Sequence, residues 1–308
     1  MSFADKDGKI WFDGELVDWR DAQVHVLTHT LHYGLGVFEG VRAYHTENSG
    51  TCIFRLQDHT KRLFRSAHIV GLKIPFSEEE LNQAQLDVVK ANGLKEGYLR
   101  PVVFHGSEQM GIRAELLSTR VAIAAWDWPS YMGPDAMEKG IKVRTSSYTR
   151  HHVNIAMCKA KANGQYINSI LALREAIECG ADEAMLLDPE GYVAEGSGEN
   201  IFVVRDGRIY TPELTSCLDG ITRNCIFELA GELGYTIEEK RITRDEVYIA
   251  DEAFFTGTAA EVLPIREVDG RQIGKGGRGP LTTQLQTLFF DQVRGRREQY
   301  PEWLTPVE

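Results

Sequence analysis

The chain has 308 residues, 43% apolar and 26% charged, and its 45 acidic side chains outnumber 34 basic ones for a formal net charge of −11. That surplus of carboxylates argues against nucleic acid or an anionic membrane as the main partner, because both need a basic footprint. The length suits one large domain or two medium ones; no apolar run approaches the ~18 residues of a membrane span, and the charged start has no signal-peptide core, so the expected compartment is the cytoplasm.

Residues 9–26 alternate apolar and polar around Phe12-Asp13-Gly14, which predicts a hairpin. A helix is expected after Asp58, with Leu63, Ala67 and Val70 on one face. A second should start at Ser77, where Ser77 and Glu80 make a capping box; Leu81, Ala84, Val88 and Ala91 follow at helical spacing, and Gly93 is placed to end it. Tyr98–Phe104 and Arg120–Trp126 read as strands. The turn formers and aromatics of Trp128–Pro134 mark the best boundary, so the expected organisation is a small N-terminal α/β domain over 1–130, a loop over 131–137 and a larger C-terminal domain over 138–308.

Beyond the boundary, Lys142–Thr149 reads as a strand and Asn163–Glu178 as a helix carrying Tyr166, Ile170, Leu173 and Ile177 on one stripe. Turns are expected at Asp188-Pro189-Glu190-Gly191, Asp206-Gly207 and Asp269-Gly270, with helices from Thr222 and from about Pro280 and a strand over Ala253–Thr258. The five cysteines, Cys52, Cys158, Cys179, Cys217 and Cys225, are odd in number and form no C-x-x-C pair. Buried or half-buried thiols in a reducing compartment are therefore expected. All nine histidines lie at or before His152, so chemistry in the second half must run on Lys, Glu, Tyr or Thr.

Four segments of that half could carry chemistry. Lys159-Ala160-Lys161-Ala162-Asn163-Gly164-Gln165-Tyr166 offers a lysine that partial desolvation would turn into a Schiff-base former, or two solvated lysines on a connecting loop. In Glu195-Gly196-Ser197-Gly198-Glu199-Asn200, small residues surround two carboxylates. Either could face a flat ligand, and a plain glycine-rich turn fits as well. Gly220-Ile221-Thr222-Arg223 before a helix and Thr256-Gly257-Thr258 closing a strand are hydroxyl-bearing anion sites, although Thr222 could simply cap its helix. Neither has the lysine-ended glycine loop of a nucleoside triphosphate site. In the first half, His25, His29 and His32 fall at i, i+4 and i+7, a spacing compatible with a metal site on one helical face. The surrounding strand-like residues favour polar loop or core histidines, and no metal is expected.

In order and spacing, these segments resemble the class IV pyridoxal-phosphate aminotransferases, and among them the branched-chain amino acid aminotransferases. The likeness runs from Ile10-Trp11-Phe12-Asp13-Gly14-Glu15 through His32-Tyr33-Gly34, Val37-Phe38-Glu39-Gly40, His59-Thr60-Lys61-Arg62-Leu63 and Tyr98-Leu99-Arg100-Pro101. It continues through Lys161…Tyr166, Glu195-Gly196…Glu199-Asn200, Gly220-Ile221-Thr222-Arg223 and Thr258-Ala259-Ala260-Glu261. The resemblance implies a two-domain α/β fold of the α+β type whose larger C-terminal domain is a pseudo-barrel that binds pyridoxal 5'-phosphate. By the same resemblance, Lys161 matches the lysine that bonds the cofactor covalently and shuttles the substrate proton, with Lys159 a structural neighbour. Glu195 matches the partner of the pyridine nitrogen and Tyr166 the phenol on O3′. Arg62, Ile221, Thr222 and Thr258 match the phosphate grip.

On the substrate side, Phe38, Trp128 and Tyr131 match an apolar pocket for a Leu, Ile or Val side chain, and Tyr33 and Ile112 match residues lent across a dimer interface. Tyr98, Arg100, Thr258 and Ala259 match groups that hold carboxylates. The implied reaction moves an amino group from Leu, Ile or Val to 2-oxoglutarate in a homodimer or higher homo-oligomer such as a hexamer. Rivals that would share the cofactor residues are D-amino acid and amine transaminases and aminodeoxychorismate lyase. A metal-dependent hydrolase on His25, His29 and His32 is a rival of another class.

Overall fold

The computed structural model describes residues 2–113, 115–128 and 132–308. The chain divides into two compact units, one of Met1–Pro129, Ala160–Gly164 and Gln292–Glu308, the other of Ser130–Lys159 and Gln165–Asp291. Two segments expected in the second domain, 160–164 and the C-terminal 292–308, thus belong to the first unit.

In the first unit, β1 (Lys9–Phe12) and β2 (Glu15–Asp18) form the expected hairpin, ending at Asp18 rather than residue 26. Its two-residue turn needs positive φ twice, and Asp13 at 48° and Gly14 at 107° supply it. A short helix α1 (His29–Tyr33) leads to β3 (Gly36–Phe38), β4 (Val41–Thr46) and β5 (Gly50–Phe54). Helix α2 (Leu56–Val70) starts two residues before Asp58, and α3 (Glu78–Ala91) follows the Ser77 cap. The strands β6 (Gly97–His105) and β7 (Thr119–Trp126) pair along their length. Among the described residues the sheet runs Leu304–Pro306, β5, β4, β6, β7, β1, β2, with β3 also paired to β6.

Side chains alternate across a strand. Val41, Ala43, Leu99, Val103, Val121, Ile123 and Ala125 therefore share one sheet face, and they pack with Leu63, Ala67, Leu81 and Val88 of α2 and α3 in one buried core. The alternate positions, Arg42, Tyr98, Arg100 and Trp126, stand on the other face. Both arms of the capping box are present: Ser77 Oγ accepts from the Glu80 N–H at 3.1 Å, and the Ser77 N–H donates to Glu80 Oε2 at 2.7 Å. Ser77→Ala is expected to lower stability by about 1 kcal/mol, seen as a lower urea midpoint at unchanged slope.

In the second unit, α4 (Gly133–Lys139), β8 (Ile141–Thr145), α5 (Tyr166–Glu178) and β9 (Glu183–Leu187) come first. Then follow β10 (Val193–Gly196), β11 (Asn200–Arg205), β12 (Arg208–Pro212), α6 (Ile221–Glu232) and β13 (Ile237–Lys240). A short α7 (Arg244–Tyr248) leads to β14 (Glu252–Gly257), β15 (Glu261–Val268) and β16 (Arg271–Gln272). Pro280–Val293 forms a last helix where one was expected. Among the described residues the second sheet runs β10, β9, β8, β15, β14, β11, β12, β13, with β16 on β15. It mixes parallel pairs (β8 with β9 and with β15, and β12 with β13) and antiparallel ones. The fold is mixed α/β with two sheets, as the resemblance implied.

Helix α5 carries the expected stripe, but its buried face is another one. Ser169, Ala172 and Ala176 are its buried residues, and the alanines pack on Ala184 and Leu186 of β9. Ile170 and Ile177 face outward, 48% and 58% exposed. Small residues let the helix lie close to the strand, so the apolar stripe faces away from this unit's core.

Candidate active site

The first unit gathers one group of predicted residues on the sheet face opposite its helices. Lys161 sits in the segment 160–164, which is fixed by its backbone: its N–H donates to Ser66 Oγ at 3.0 Å, and its carbonyl accepts from the Phe38 N–H at 3.0 Å. Val37 and Ala162 bridge as neighbouring strands do. Lys161 Nζ lies 5.0 Å from the centroid of the Phe38 ring, and the Arg100 guanidinium lies 4.7 Å from the same ring. Arg100 donates to Tyr98 Oη at 3.1 Å, and the Tyr98 ring meets Trp128 edge to face at 4.5 Å. Phe38, Tyr98, Arg100, Trp128 and Lys161 thus stand together.

Gly40 closes over this group, since a Cβ there would lie 1.9 Å from Tyr98 Oη. Buried Arg42 extends it and donates to the Trp128 carbonyl at 3.0 Å. Sequence reasoning missed Arg42; strand alternation from Tyr98 through the Arg42–Tyr98 register could have found it. Tyr131 lies outside the described residues.

Arg62 is buried on α2 and forks onto Glu39, with Nε to Oε1 at 2.7 Å and Nη2 to Oε2 at 2.9 Å. His59, one helical turn earlier, donates from Nδ1 to Glu39 Oε2 at 2.8 Å. Burial alone would raise the Glu39 pKa, but the Arg62 charge and the His59 bond outweigh it and hold the carboxyl well below the usual carboxylate range. Its contribution to stability is therefore present above the unfolded-state pKa of ~4.3 and is lost as pH falls toward the folded value. Burial, with the Arg62 and Lys161 charges adding to it, lowers the His59 pKa despite Glu39, so the ring is neutral at pH 7.

The three spaced histidines do not converge. His25 precedes α1, and its Nδ1 accepts from the Leu27 N–H at 3.1 Å. His32 Nε2 donates to the Val26 carbonyl at 2.9 Å, and His29 Nε2 donates to the Gly111 carbonyl at 2.7 Å. The Gly111 N–H in turn donates to Tyr33 Oη at 3.1 Å, so His29 and Tyr33 clamp both ends of one residue, next to Ile112. Tyr33 and Ile112 are therefore near neighbours on the surface, 45% and 92% exposed. No cluster of three or more metal-ligating side chains occurs among the described residues.

The second unit carries the remaining residues. Glu195, buried on β10, pairs with Arg150 Nη2 at 2.7 Å, and its other oxygen accepts from the Leu218 N–H at 3.2 Å. Burial works against the Arg150 charge, and the Glu195 carboxylate outweighs it, raising the Arg150 pKa. Arg150 was not foreseen; it stands outside every motif and meets Glu195 only through the fold. Glu199 turns back on its own loop, accepting from the Gly198 N–H at 3.0 Å, which separates the two carboxylates the sequence left equivalent.

Helix α6 begins just after Gly220, with Ile221 and Thr222 both buried and no acidic residue in its first turn. Asn200 braces the approach, donating to the Leu218 carbonyl at 2.9 Å, and a Cβ on Gly220 would lie 1.9 Å from Asn200 Oδ1. Such a helix start, glycine-led and carrying a hydroxyl, has the donor chemistry of a phosphate seat. Arg223 points elsewhere, to the Pro212 carbonyl and Glu239. Thr258 and Ala259 lie half-buried in the turn joining β14 to β15, and Tyr166 is half-buried at the start of α5. Lys159 donates to the Leu214 and Cys217 carbonyls. Burial first, then the Glu195 charge, pushes the Cys217 thiol up to about 12; Cys179, by contrast, is exposed, against the expectation of buried thiols throughout.

Known proteins resemble this chain over most or all of its length. The amino-transferase class IV family model matches residues 36–268. A branched-chain-amino-acid aminotransferase of Pseudomonas aeruginosa is 67% identical over 308 residues, 100% of each chain. Its namesake from Escherichia coli is 45% identical over 300 residues, 97% of each. The solved structure of a T.th. branched-chain amino acid aminotransferase with pyridoxamine 5'-phosphate superposes with a TM-score of 0.96 at 48% identity, covering 98% of this chain and 99% of that one. A family match over most of its length and a full-length relative at this identity place the chain among the class IV aminotransferases.

Proposed function

We propose that the protein transfers the amino group of L-leucine, L-isoleucine or L-valine to 2-oxoglutarate with pyridoxal 5'-phosphate as cofactor, giving branched-chain 2-oxo acids and L-glutamate. The observation that carries this reading is the grouping of Phe38, Tyr98 and Trp128 with Arg100 and Lys161 on one sheet face. Apolar rings suit a branched side chain, whose burial favours it over alanine by ~2–3 kcal/mol. The arginine among them suits the second carboxylate of glutamate.

The donor set fits the cofactor. In the second unit the start of α6 (Ile221, Thr222) and Thr258 suit its phosphate, Glu195 its ring nitrogen and Tyr166 its O3′; in the first, Arg62 suits the phosphate by its charge. When bound, pyridoxal phosphate would supply the carbonyl that takes up the amino group and a ring that draws in the electrons left at the α-carbon. Lys161 Nζ is the group that holds the cofactor and moves the proton from the substrate α-carbon. Glu195, held by Arg150, keeps a proton on the ring nitrogen. Arg100 and Tyr98 are the groups to orient substrate carboxylates, with Thr258 and Ala259 assisting by resemblance, and Phe38 and Trp128 are the described aromatics that suit the side chain; Tyr131 joins them by resemblance alone.

The exposure of Tyr33 and Ile112 supports a homodimer or larger homo-oligomer in which they serve a neighbouring subunit. No helix among the described residues is long and apolar enough to cross a membrane. The test is a panel of L- and D-amino acids and simple amines with 2-oxoglutarate as acceptor, scored by glutamate formed. Turnover should concentrate on L-leucine, L-isoleucine and L-valine; preference for a D-amino acid or an amine would transfer the protein to another branch of the family.

A further inference from the structure

The buried Glu39 has no part in the roles above, yet it holds two of the three nitrogens of Arg62 through both of its oxygens. Glu39 is fully buried and Arg62 nearly so, and His59 closes the network from one helical turn away. Glu39 is itself fixed: its N–H donates to the Pro101 carbonyl at 2.8 Å, between the paired strand β3 and the Gly40 that closes over Tyr98. A flexible arginine aimed at a phosphate loses several rotors on binding; a planar fork clamped by a carboxylate has already lost them.

We propose that Glu39 is a positioning residue for the cofactor phosphate: by clamping Nε and Nη2 it fixes the guanidinium plane of Arg62, so that affinity for the phosphorylated cofactor depends on a carboxylate that never touches it. The proposal rests on the reading of Arg62 as part of the phosphate grip. Glu39→Gln keeps the shape but turns an acceptor oxygen into an amide that opposes an arginine N–H.

The readout is the ratio of dissociation constants for pyridoxal and pyridoxal 5'-phosphate, measured by fluorescence on stripped full-length protein, because the two probes differ only in the phosphate. Glu39→Gln should weaken the phosphorylated form by about 10–100-fold, by analogy with the loss of a partner that orients a metal ligand, and leave pyridoxal unchanged. Equal weakening of both, or of neither, overturns the proposal.

Arg62→Ala measured in parallel separates the two ideas. If it leaves the ratio unchanged, the phosphate role of Arg62 fails. If it collapses the ratio while Glu39→Gln does not, the positioning role alone fails. Should thermal melting show that Glu39→Gln does not fold, Glu39→Asp decides: it keeps the charge but its shorter arm cannot span Nε and Nη2 together, so selective weakening of the phosphorylated form upholds the proposal and an unchanged ratio overturns it.

Discussion

Lys161→Ala is expected to lower turnover of L-leucine with 2-oxoglutarate by about 10,000-fold or more while the protein stays folded. Positioned proton transfer alone contributes ~100- to 10,000-fold, and loss of the covalent link to the cofactor adds to that. The fold should survive because the segment is held through its backbone, by Ser66, Phe38 and the Val37–Ala162 bridge, none of which uses the lysine side chain. Lys159→Ala is the control. Its amine serves the Leu214 and Cys217 carbonyls, so its loss should cost much less activity. Initial rates of both variants, with a thermal melt of each, make the check. Full turnover in Lys161→Ala would refute the catalytic assignment.

Glu195→Ala should affect activity and stability together. Without the carboxylate the ring nitrogen loses its partner and the proton-removal step slows. Arg150 is left buried and uncompensated, and breaking such a pair from one side costs ~3–5 kcal/mol. Adding Arg150→Met to Glu195→Ala should restore a large part of the stability and none of the activity. A double-mutant cycle in guanidinium chloride, run beside single-turnover rates, separates the two effects. If Glu195→Ala left both stability and rate intact, Glu195 could not be the carboxylate facing the ring.

Local structure was legible wherever chemistry acts over short range. The Asp13-Gly14 turn, the Ser77–Glu80 box and the Asp206-Gly207 and Asp269-Gly270 turns follow from positive φ and capping, and positive φ stands at each of the three turns. Long-range partners were hidden. Nothing near Lys161 announces that its segment pairs with Val37 rather than with the helix that follows it. Periodicity found α5 and its apolar stripe but not which face is buried, because isoleucines left outside a unit's own core look the same in sequence as isoleucines inside it. Among the candidate site residues, motif order singled out Lys161, Arg62 and Glu195. It could not reach Arg150 or the role of Glu39, since a buried ion pair is defined by its partner and both partners here are distant in sequence. Net charge had the reverse fault: −11 argued against polyanionic partners yet says nothing of where Arg100 and Lys161 stand, both on the Phe38 ring.

The most direct measurement uses enzyme in stoichiometric amount, loaded with pyridoxal phosphate and followed by its visible absorbance. L-Leucine without an acceptor should bleach the band in a single half-reaction, and 2-oxoglutarate should restore it with formation of one glutamate per site. A band indifferent to L-leucine, or one that responds only to D-amino acids or amines, would contradict the branched-chain assignment.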